Sequence, residues 1–429
     1  MEQETIRVGR LVYRRRGYVA VLCAVVVLGE ILSGFASVTR DVTLPLILKS
    51  LHLGVAQAGL IFSGSFVLTV LTNFALGPIL DRVGRKRGFQ GAVLAAGVIT
   101  GMTALVSSAG AYAVVGIAAG VSLAPQITGP ALVSEEAPDD VRGLLMGIAG
   151  VGFTFGSIIV GLVAHAVLPS GHWRWMYLYC FAALPIVALA GGLLRETPYF
   201  TAAQERRSTA RAFRDEWRLF FQPRFRRTTV ALLAYGFAGN LQSVFFLALG
   251  VTFLTTYQHL AIGTASLAVT LEGLFSVLGG IVLGRITDHL PSRNVAFLSL
   301  LLGSAAMALL SRPGGATWVF VLVAGWSFFT LGGIGGAQSR YIAESYPTEI
   351  RGRAFGILFG GAFIASIVTT AAFGALMGSG HEALAPLIAM AVGLVGGLLL
   401  LLGRSIPARA RLEEGALTAE EPRHPATWS

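Results

Sequence analysis

Residues 77 to 86 read GPILDRVGRK, and residues 284 to 293 read GRITDHLPSR. Each opens on a glycine, Gly77 or Gly284, sets an aspartate four residues on, Asp81 or Asp288, and closes an apolar run with basic residues. The offset is 284 minus 77, or 207 residues. A second pair follows. Pro138, Asp140, Arg142 and Gly143 in EEAPDDVRG are echoed by Pro347, Glu349, Arg351 and Gly352 in ESYPTEIRG, at an offset of 347 minus 138, or 209. Two loop signatures in the same order at nearly the same separation mean that one unit has been duplicated along the chain.

The segments between these basic knots are apolar. Of 429 residues, 54% are hydrophobic and 13% charged, where a soluble domain carries about a quarter charged residues. About twelve runs reach the roughly 20 helical residues that cross a hydrocarbon core of about 30 Å. They lie near 18–48, 56–80, 89–108, 110–134, 143–168 and 174–194, then near 227–256, 263–286, 294–311, 316–343, 353–377 and 385–403. The chain thus reads as an all-α integral membrane protein of twelve transmembrane helices in two sets of six. Its 54 glycines would each cost a soluble helix about 1 kcal/mol, but in a bilayer they let helix backbones approach.

Arg and Lys set the orientation, because short cytoplasmic loops hold an excess of them. One side carries Arg7 to Arg16, Arg82 to Arg87, Arg142, Arg195 to Arg227, Arg285, Arg293, Arg351, Arg353 and the tail; the other has little beyond Arg40, Lys49, Arg174 and Arg312. Both termini are therefore expected in the cytoplasm. The expected organisation is a cytoplasmic N-terminus (1–17), a six-helix bundle (18–194), a central cytoplasmic loop (195–226), a second bundle (227–403) and a tail of disordered composition (404–429). The first run passes Val38 with no small-residue cleavage pattern, so it is not a signal peptide. Cys23 and Cys180 both fall in apolar runs and do not read as a structural disulfide. The net charge of +10 belongs to the loops, so nucleic acid is not an expected partner.

At these residues the chain resembles the major facilitator superfamily of secondary transporters. That family's signature between helices 2 and 3, GxxxDRxGRR/K, is matched by Gly77, Asp81, Arg82, Gly84, Arg85 and Lys86. The resemblance spans residues 18 to 403 and implies two six-helix bundles related by a pseudo-two-fold axis, with a small-molecule site between them near the midplane. Bacterial metabolite transporters of the sugar and aromatic-acid type are the most similar group: LPLILKSLHLGVAQAGLIFSG is similar to their helix 1 to 2 passage, VSEEAPDDVRG to their helix 4 exit and RETPYF to their PESPR element.

The resemblance also implies a role for the basic knot. Charge-assisted bonds from Arg82, Arg85 and Arg142 to Asp81, Glu135, Glu136 and Glu196 would latch the bundles at the cytoplasmic side when the protein faces outward. Asp288, Arg293, Glu344 and Arg351 would be the second set. Pro291 and Ser292 stand where the signature wants glycine and arginine. The alternative is that these charges only anchor loops at the headgroups.

A carboxylate within a membrane helix costs roughly 2.5–3.5 kcal/mol on insertion scales, which marks it as a functional candidate. Glu30, about 18 Å into helix 1, and Glu272, about 14 Å into helix 8, are the candidates for proton coupling. Either could equally be a hydrogen-bonded structural glutamate. Aromatic-acid symporters carry DGxD in helix 1; here the stretch is SGFA, with Ser33 and Ala36 in place of both aspartates and Gly34 and Phe35 between them. This makes Glu30 the only carboxylate expected in helix 1 and weakens the expectation of an aromatic acid. Ser33 plus 207 gives Asn240, beside Gln242; these neutral groups suit either a substrate or interhelical hydrogen bonds. Gln126 and Trp326 are further cavity candidates. Arg340 precedes Glu344 by four residues and is expected to pair with it.

Helix 11 has no buried arginine, which tells against a strongly anionic substrate, and GGAQS replaces the sugar-porter GPxPW element. Helix 5, GLLMGIAGVGFTFGSIIVGL, lacks the proline of the exporter signature GPxxGG; Gly143 with Gly147, and Gly152 with Gly156, read as close-packing pairs. There is no GxxxxGK[ST], HExxH, CxxC or nucleophile elbow, so neither an ATP-driven pump nor an enzyme is expected. The expectation is a monomeric transporter of the bacterial inner membrane. It needs no cofactor and moves a small organic metabolite by alternating access, driven by the proton gradient. A drug or metabolite exporter is the alternative, and a transport-dead sensor the third.

Overall fold

A computed structural model of the chain describes residues 5–8, 11–137, 142–197, 220–346 and 348–405. Twelve apolar helices follow one another: α1 Arg15–Leu51, α2 Val55–Val83, α3 Arg85–Leu105, α4 Ala109–Glu136, α5 Arg142–Val167 and α6 Trp173–Leu193. The second six are α7 Arg226–Thr256, α8 Ile262–Ile286, α9 Ser292–Leu309, α10 Ala316–Ser345, α11 Thr348–Gly378 and α12 Leu384–Leu400. Among the described residues, eleven are long and apolar enough to cross a bilayer by themselves. The 17 residues of α12 stand at the lower end of the spanning range of about 17–25.

One element was not anticipated. Ahead of α1, β1 (Thr5–Val8) pairs antiparallel with β2 (Leu11–Arg14), Thr5 opposite Arg14 and Val8 opposite Leu11. The β-branched Thr5, Ile6, Val8 and Val12 favour the extended backbone, and the basic residues among them hid that pattern. Most of the central loop (198–219) and of the tail (406–429) lies outside the described residues.

The duplication is visible in the backbone. His52, after α1, and His259, after α7, both take the left-handed conformation, with φ of 53° and 54°; they are again 207 apart. Between the halves, α1 packs on α7, α2 on α11 and α5 on α8. Under a six-helix shift α2 becomes α8 and α11 becomes α5, so these contacts map onto one another. At the α2–α11 contact Gly59 meets Thr370 and Gly374. Adding 207 to Gly59 and subtracting 209 from Thr370 gives Ser266 and Gly161, which meet at the α5–α8 contact. Glycine on one side of each contact lets the two backbones close.

The buried apolar core shows how the halves are arranged. On the side away from the basic loops one continuous cluster draws on both halves, from Val42 and Phe62 to Phe253, Phe373 and Trp326. Toward the basic loops it splits. One cluster there belongs to the first half (Leu22, Phe89, Leu132, Ala190) and another to the second (Leu232, Leu300, Tyr341, Leu358). The halves are therefore joined at the end away from the basic loops, which is called the outer end, and separated at the basic end.

Candidate functional site

The separation leaves a cavity of about 720 Å³ lined by α1, α5, α7, α8, α10 and α11, within the 300–1,000 Å³ usual for small-molecule sites. Its wall is mostly apolar, with Phe153, Phe246, Ile334 and Phe359, relieved by Thr154, Ser157, Ser243 and Ser276 and by two carboxylates, Asp41 and Glu272. Two π-helical turns of α10, Ser327–Leu331 and Ile334–Gln338, put Leu331, Ile334 and Gly335 on this wall. Such turns often occur at functional positions in helices.

The outer end is closed by hydrogen bonds between the halves. Ser63 Oγ donates to the Ile367 carbonyl at 2.9 Å, Thr270 Oγ1 to the Ile158 carbonyl at 3.3 Å, and His165 Nδ1 to the Gly263 carbonyl at 2.9 Å. Asp41 on α1 accepts from the Val251 backbone N–H on α7 at 3.3 Å. Asp41 and Glu272 each lie ten residues from the outer end of their helix, which puts both about 15 Å deep at 1.5 Å per residue. They come from opposite halves and line the same cavity.

Glu30 is elsewhere. It is buried inside the first half, its side chain against Gly129 of α4 and Gly152 of α5, and its Oε1 has no hydrogen-bond partner. The candidates on the helix 1 stretch also point into the first half. Ser33 Oγ donates to the Ser122 carbonyl at 2.6 Å, Gly34 seats against the Phe153 backbone, and the Phe35 ring packs 4.7 Å from Tyr179. In the second half Gln242 is the hub of an interhelical network: its Nε2 donates to Ser304 Oγ at 2.8 Å and the Ala389 carbonyl at 3.1 Å, while its Oε1 accepts from Trp326 Nε1 and Thr330 Oγ1, each at 3.1 Å. Trp326 also stacks on Phe246. Asn240 Oδ1 accepts from Ser366 Oγ at 2.7 Å, tying α7 to α11. None of Ser33, Gly34, Phe35, Gln126, Asn240, Gln242 or Trp326 is on the cavity wall. Of the expected helix-packing glycines, Gly152 and Gly156 seat on α1, whereas Gly147 faces the cavity.

Two charged residues that matter were misplaced or passed over. Arg40, read from the sequence as one of the sparse charges of the outer loops, is buried within α1, eleven residues from Leu51, or about 16 Å deep. Asp41 makes a second helix 1 carboxylate beside Glu30. The signal was available: an Arg-Asp pair inside an apolar helix of 37 residues, far longer than a bilayer needs. The chain thus holds a buried arginine on α1 although α11 has none.

At the basic end the first-half charges gather around the start of α3. Gly84, at φ 102°, makes a turn few side-chain-bearing residues adopt, and the Glu196 carboxylate packs against it. Glu196 Oε1 accepts the Lys86 backbone N–H at 2.9 Å, an anion at a helix N-terminus. Arg85 pairs with Glu135 at 2.7 Å, Arg195 with Glu136 through two bonds of 3.1 and 3.0 Å, and Lys86 Nζ caps the Gly191 carbonyl at 2.8 Å. Arg82 is exposed. In the second half Arg340 holds both Asp288 and Glu344, the latter at 2.8 Å, and Ser292 Oγ also donates to Glu344. Arg293 instead caps the Leu401 and Gly403 carbonyls beyond α12. The side chains of Asp81, Arg142 and Arg351 lie outside the described set, as does Gly77 beyond its backbone. Among the described residues every ion pair stays within one half.

Among the described residues, twelve apolar helices in two pseudo-symmetric halves surround this cavity. Two overlapping matches to the family model of the Major Facilitator Superfamily, over residues 26–249 and 231–428, cover most of the chain, and the protein belongs to that family. It is a multi-pass membrane transporter of small metabolites, not an enzyme. The chain is 26% identical to a gallate transporter of Pseudomonas putida over 91% of this chain and 86% of that one, and 25% identical to a gentisate transporter of Corynebacterium glutamicum over 77% and 74%. Among solved structures it is similar to the inward-open xylose transporter XylE of E. coli, with a TM-score of 0.72 and 15% identity over 92% of this chain and 98% of that one.

Proposed function

We propose that the chain is a proton-coupled symporter that brings a small organic metabolite into a bacterial cell, with the basic loops and both termini on the cytoplasmic side. The observation that carries this reading is the placement of Asp41 and Glu272 at one depth, on opposite halves, both on the cavity wall. Carboxylates held in a low-dielectric wall exchange protons as the wall opens to one side and then the other, and a pair divided between the halves is reorganised by the motion itself. Glu272 is the coupling carboxylate and Asp41 its partner. Glu30, packed within one half, keeps its surroundings during rigid-body rocking and does not couple.

The test is uptake by proteoliposomes under an imposed pH gradient, with gallate, gentisate and D-xylose as trial substrates. Accumulation that follows the inward proton gradient, and is lost in Glu272→Gln, supports the reading. Accumulation indifferent to the gradient refutes coupling. The largely apolar wall also favours a second reading, export of lipophilic compounds; proton-driven extrusion from the vesicles would establish that direction instead.

A further inference from the structure

Beside the main cavity is a second, smaller space of about 20 Å³, lined by Ser37, Arg40, Ser65, Thr69, Ser122 and Leu247, with Phe62 among the remaining neighbours. Arg40 is 7% exposed. One guanidinium nitrogen, Nη1, donates to Ser65 Oγ at 3.0 Å, and the Phe62 ring lies 4.6 Å away. The other, Nη2, has no partner, and among the described residues no carboxylate pairs with Arg40. A guanidinium is always charged and offers its donors in a planar fork that matches a carboxylate. A permanent cation buried this deep with donors unspent is poised for an anion. Asp41, next in sequence, does not serve: its side chain lies on the main cavity and accepts from Val251.

We infer that Arg40 and the hydroxyls around it form a carboxylate subsite, and that the substrate is a small organic monocarboxylate whose acid group binds there while its body occupies the main cavity. Leu247 lies on both walls and is the partition between head and body. A space of about 20 Å³ holds roughly one water-sized group, so it accepts one oxygen of the acid group and no more. The hydroxyls of Ser37 and Ser122, 3.3 Å apart, line the same pocket. The substrate anion and the coupling proton thus have separate seats, Arg40 for one and Glu272 for the other. This inference rests on the reading of the main cavity as the transport path.

The experiment is thermal unfolding and equilibrium binding of the purified full chain with matched probes: benzoate, gallate and gentisate, each against its neutral amide. Wild type is expected to bind the acids at least tenfold more tightly than the amides. Arg40→Gln is expected to lose that preference while keeping the weak amide binding, and Arg40→Lys to retain part of it. Equal binding of acids and amides by wild type overturns the subsite, needs no variant, and stands even if Arg40→Gln fails to fold. Undiminished acid preference in Arg40→Gln, or no binding of any acid, also overturns it. Proton-driven uptake of an acid without Arg40-dependent preference removes the subsite but leaves the transport reading; Arg40-dependent acid binding with no flux in proteoliposomes supports the subsite and removes the transport reading.

Discussion

Replacing Gly59 by valine is expected to open the outer end of the protein. A Cβ at Gly59 stands 2.8 Å from the Gly374 Cα, and nearer still to the Thr370 carbonyl, where ordinary contact begins at 3.4 Å. Helices α2 and α11 must therefore part by at least roughly half an ångström. Overpacking of this kind costs about 1–3 kcal/mol. That cost falls only on the state in which the outer ends touch, because swinging them apart removes the clash. At 1.36 kcal/mol per factor of ten, the ratio of inward-open to outward-open molecules falls by about 5- to 150-fold. One turn inward, Ser63 is held by the Ile367 carbonyl of α11, so its exposure to water reports the opening. In a background with Cys23 and Cys180 replaced by serine, a cysteine at position 63 should react with a membrane-impermeant maleimide at least fivefold faster when Gly59→Val is present. Gly161→Val, at the matching α5–α8 contact, should do the same. Unchanged labelling in a folded, monodisperse Gly59→Val protein would refute the argument that these close glycine contacts hold the outer end shut.

Glu272→Gln should reduce gradient-driven accumulation from about tenfold per pH unit at one proton per substrate to none, whereas Glu30→Gln should leave it intact; proteoliposome uptake decides both. Asp81→Asn should leave the protein in the membrane and largely stop transport, and normal flux in that variant would remove the latch proposed for the basic knot. Gln242→Leu should weaken folding by about 1–2 kcal/mol, the scale of interhelical hydrogen bonds in membranes, without changing substrate preference; an altered preference would put Gln242 back in the site. Outside the membrane, the Arg340 hydrogen bond holds the Asp288 carboxyl below its ordinary value of 3.8. The pairing therefore stabilises the folded state above pH 3.8 and is lost as pH falls through the depressed value, so an NMR titration of Asp288 with its midpoint at or above 3.8 would contradict it.

The fold was legible because its two determinants are local. Hydropathy marks a spanning helix over any window of about 20 residues, and the knots at Gly77 and Gly284 repeat at a spacing that short loops preserve. Contacts between helices are not local. Nothing in the sequence says which side of α7 turns to the cavity, so Asn240 and Gln242 were as eligible as Ser243 and Phe246, and the structure gives the wall to the latter two. The latch charges illustrate the same limit: Arg340 rather than Arg293 holds Asp288, because proximity across a helix pair depends on rotation about its axis. Arg40 failed for another reason. Counting charges by side places every arginine in a loop, and that assumption breaks when a helix extends well beyond the bilayer's needs.

The place where duplication and chemistry part company is the site itself. The offset of 207 that relates His52 to His259 carries Arg40 onto Leu247 and Ser65 onto Glu272. Each half thus keeps the backbone position but only one of the charges: the first half holds the cation with its hydroxyl acceptor, and the second holds an apolar partition and a carboxylate. A second arginine at the Leu247 position would set two cations close together in a low-dielectric region, where repulsion is strong. Arg40 and Glu272 lack charged counterparts at the equivalent positions Leu247 and Ser65, and this chemical asymmetry leaves the matched α2–α11 and α5–α8 backbone contacts untouched.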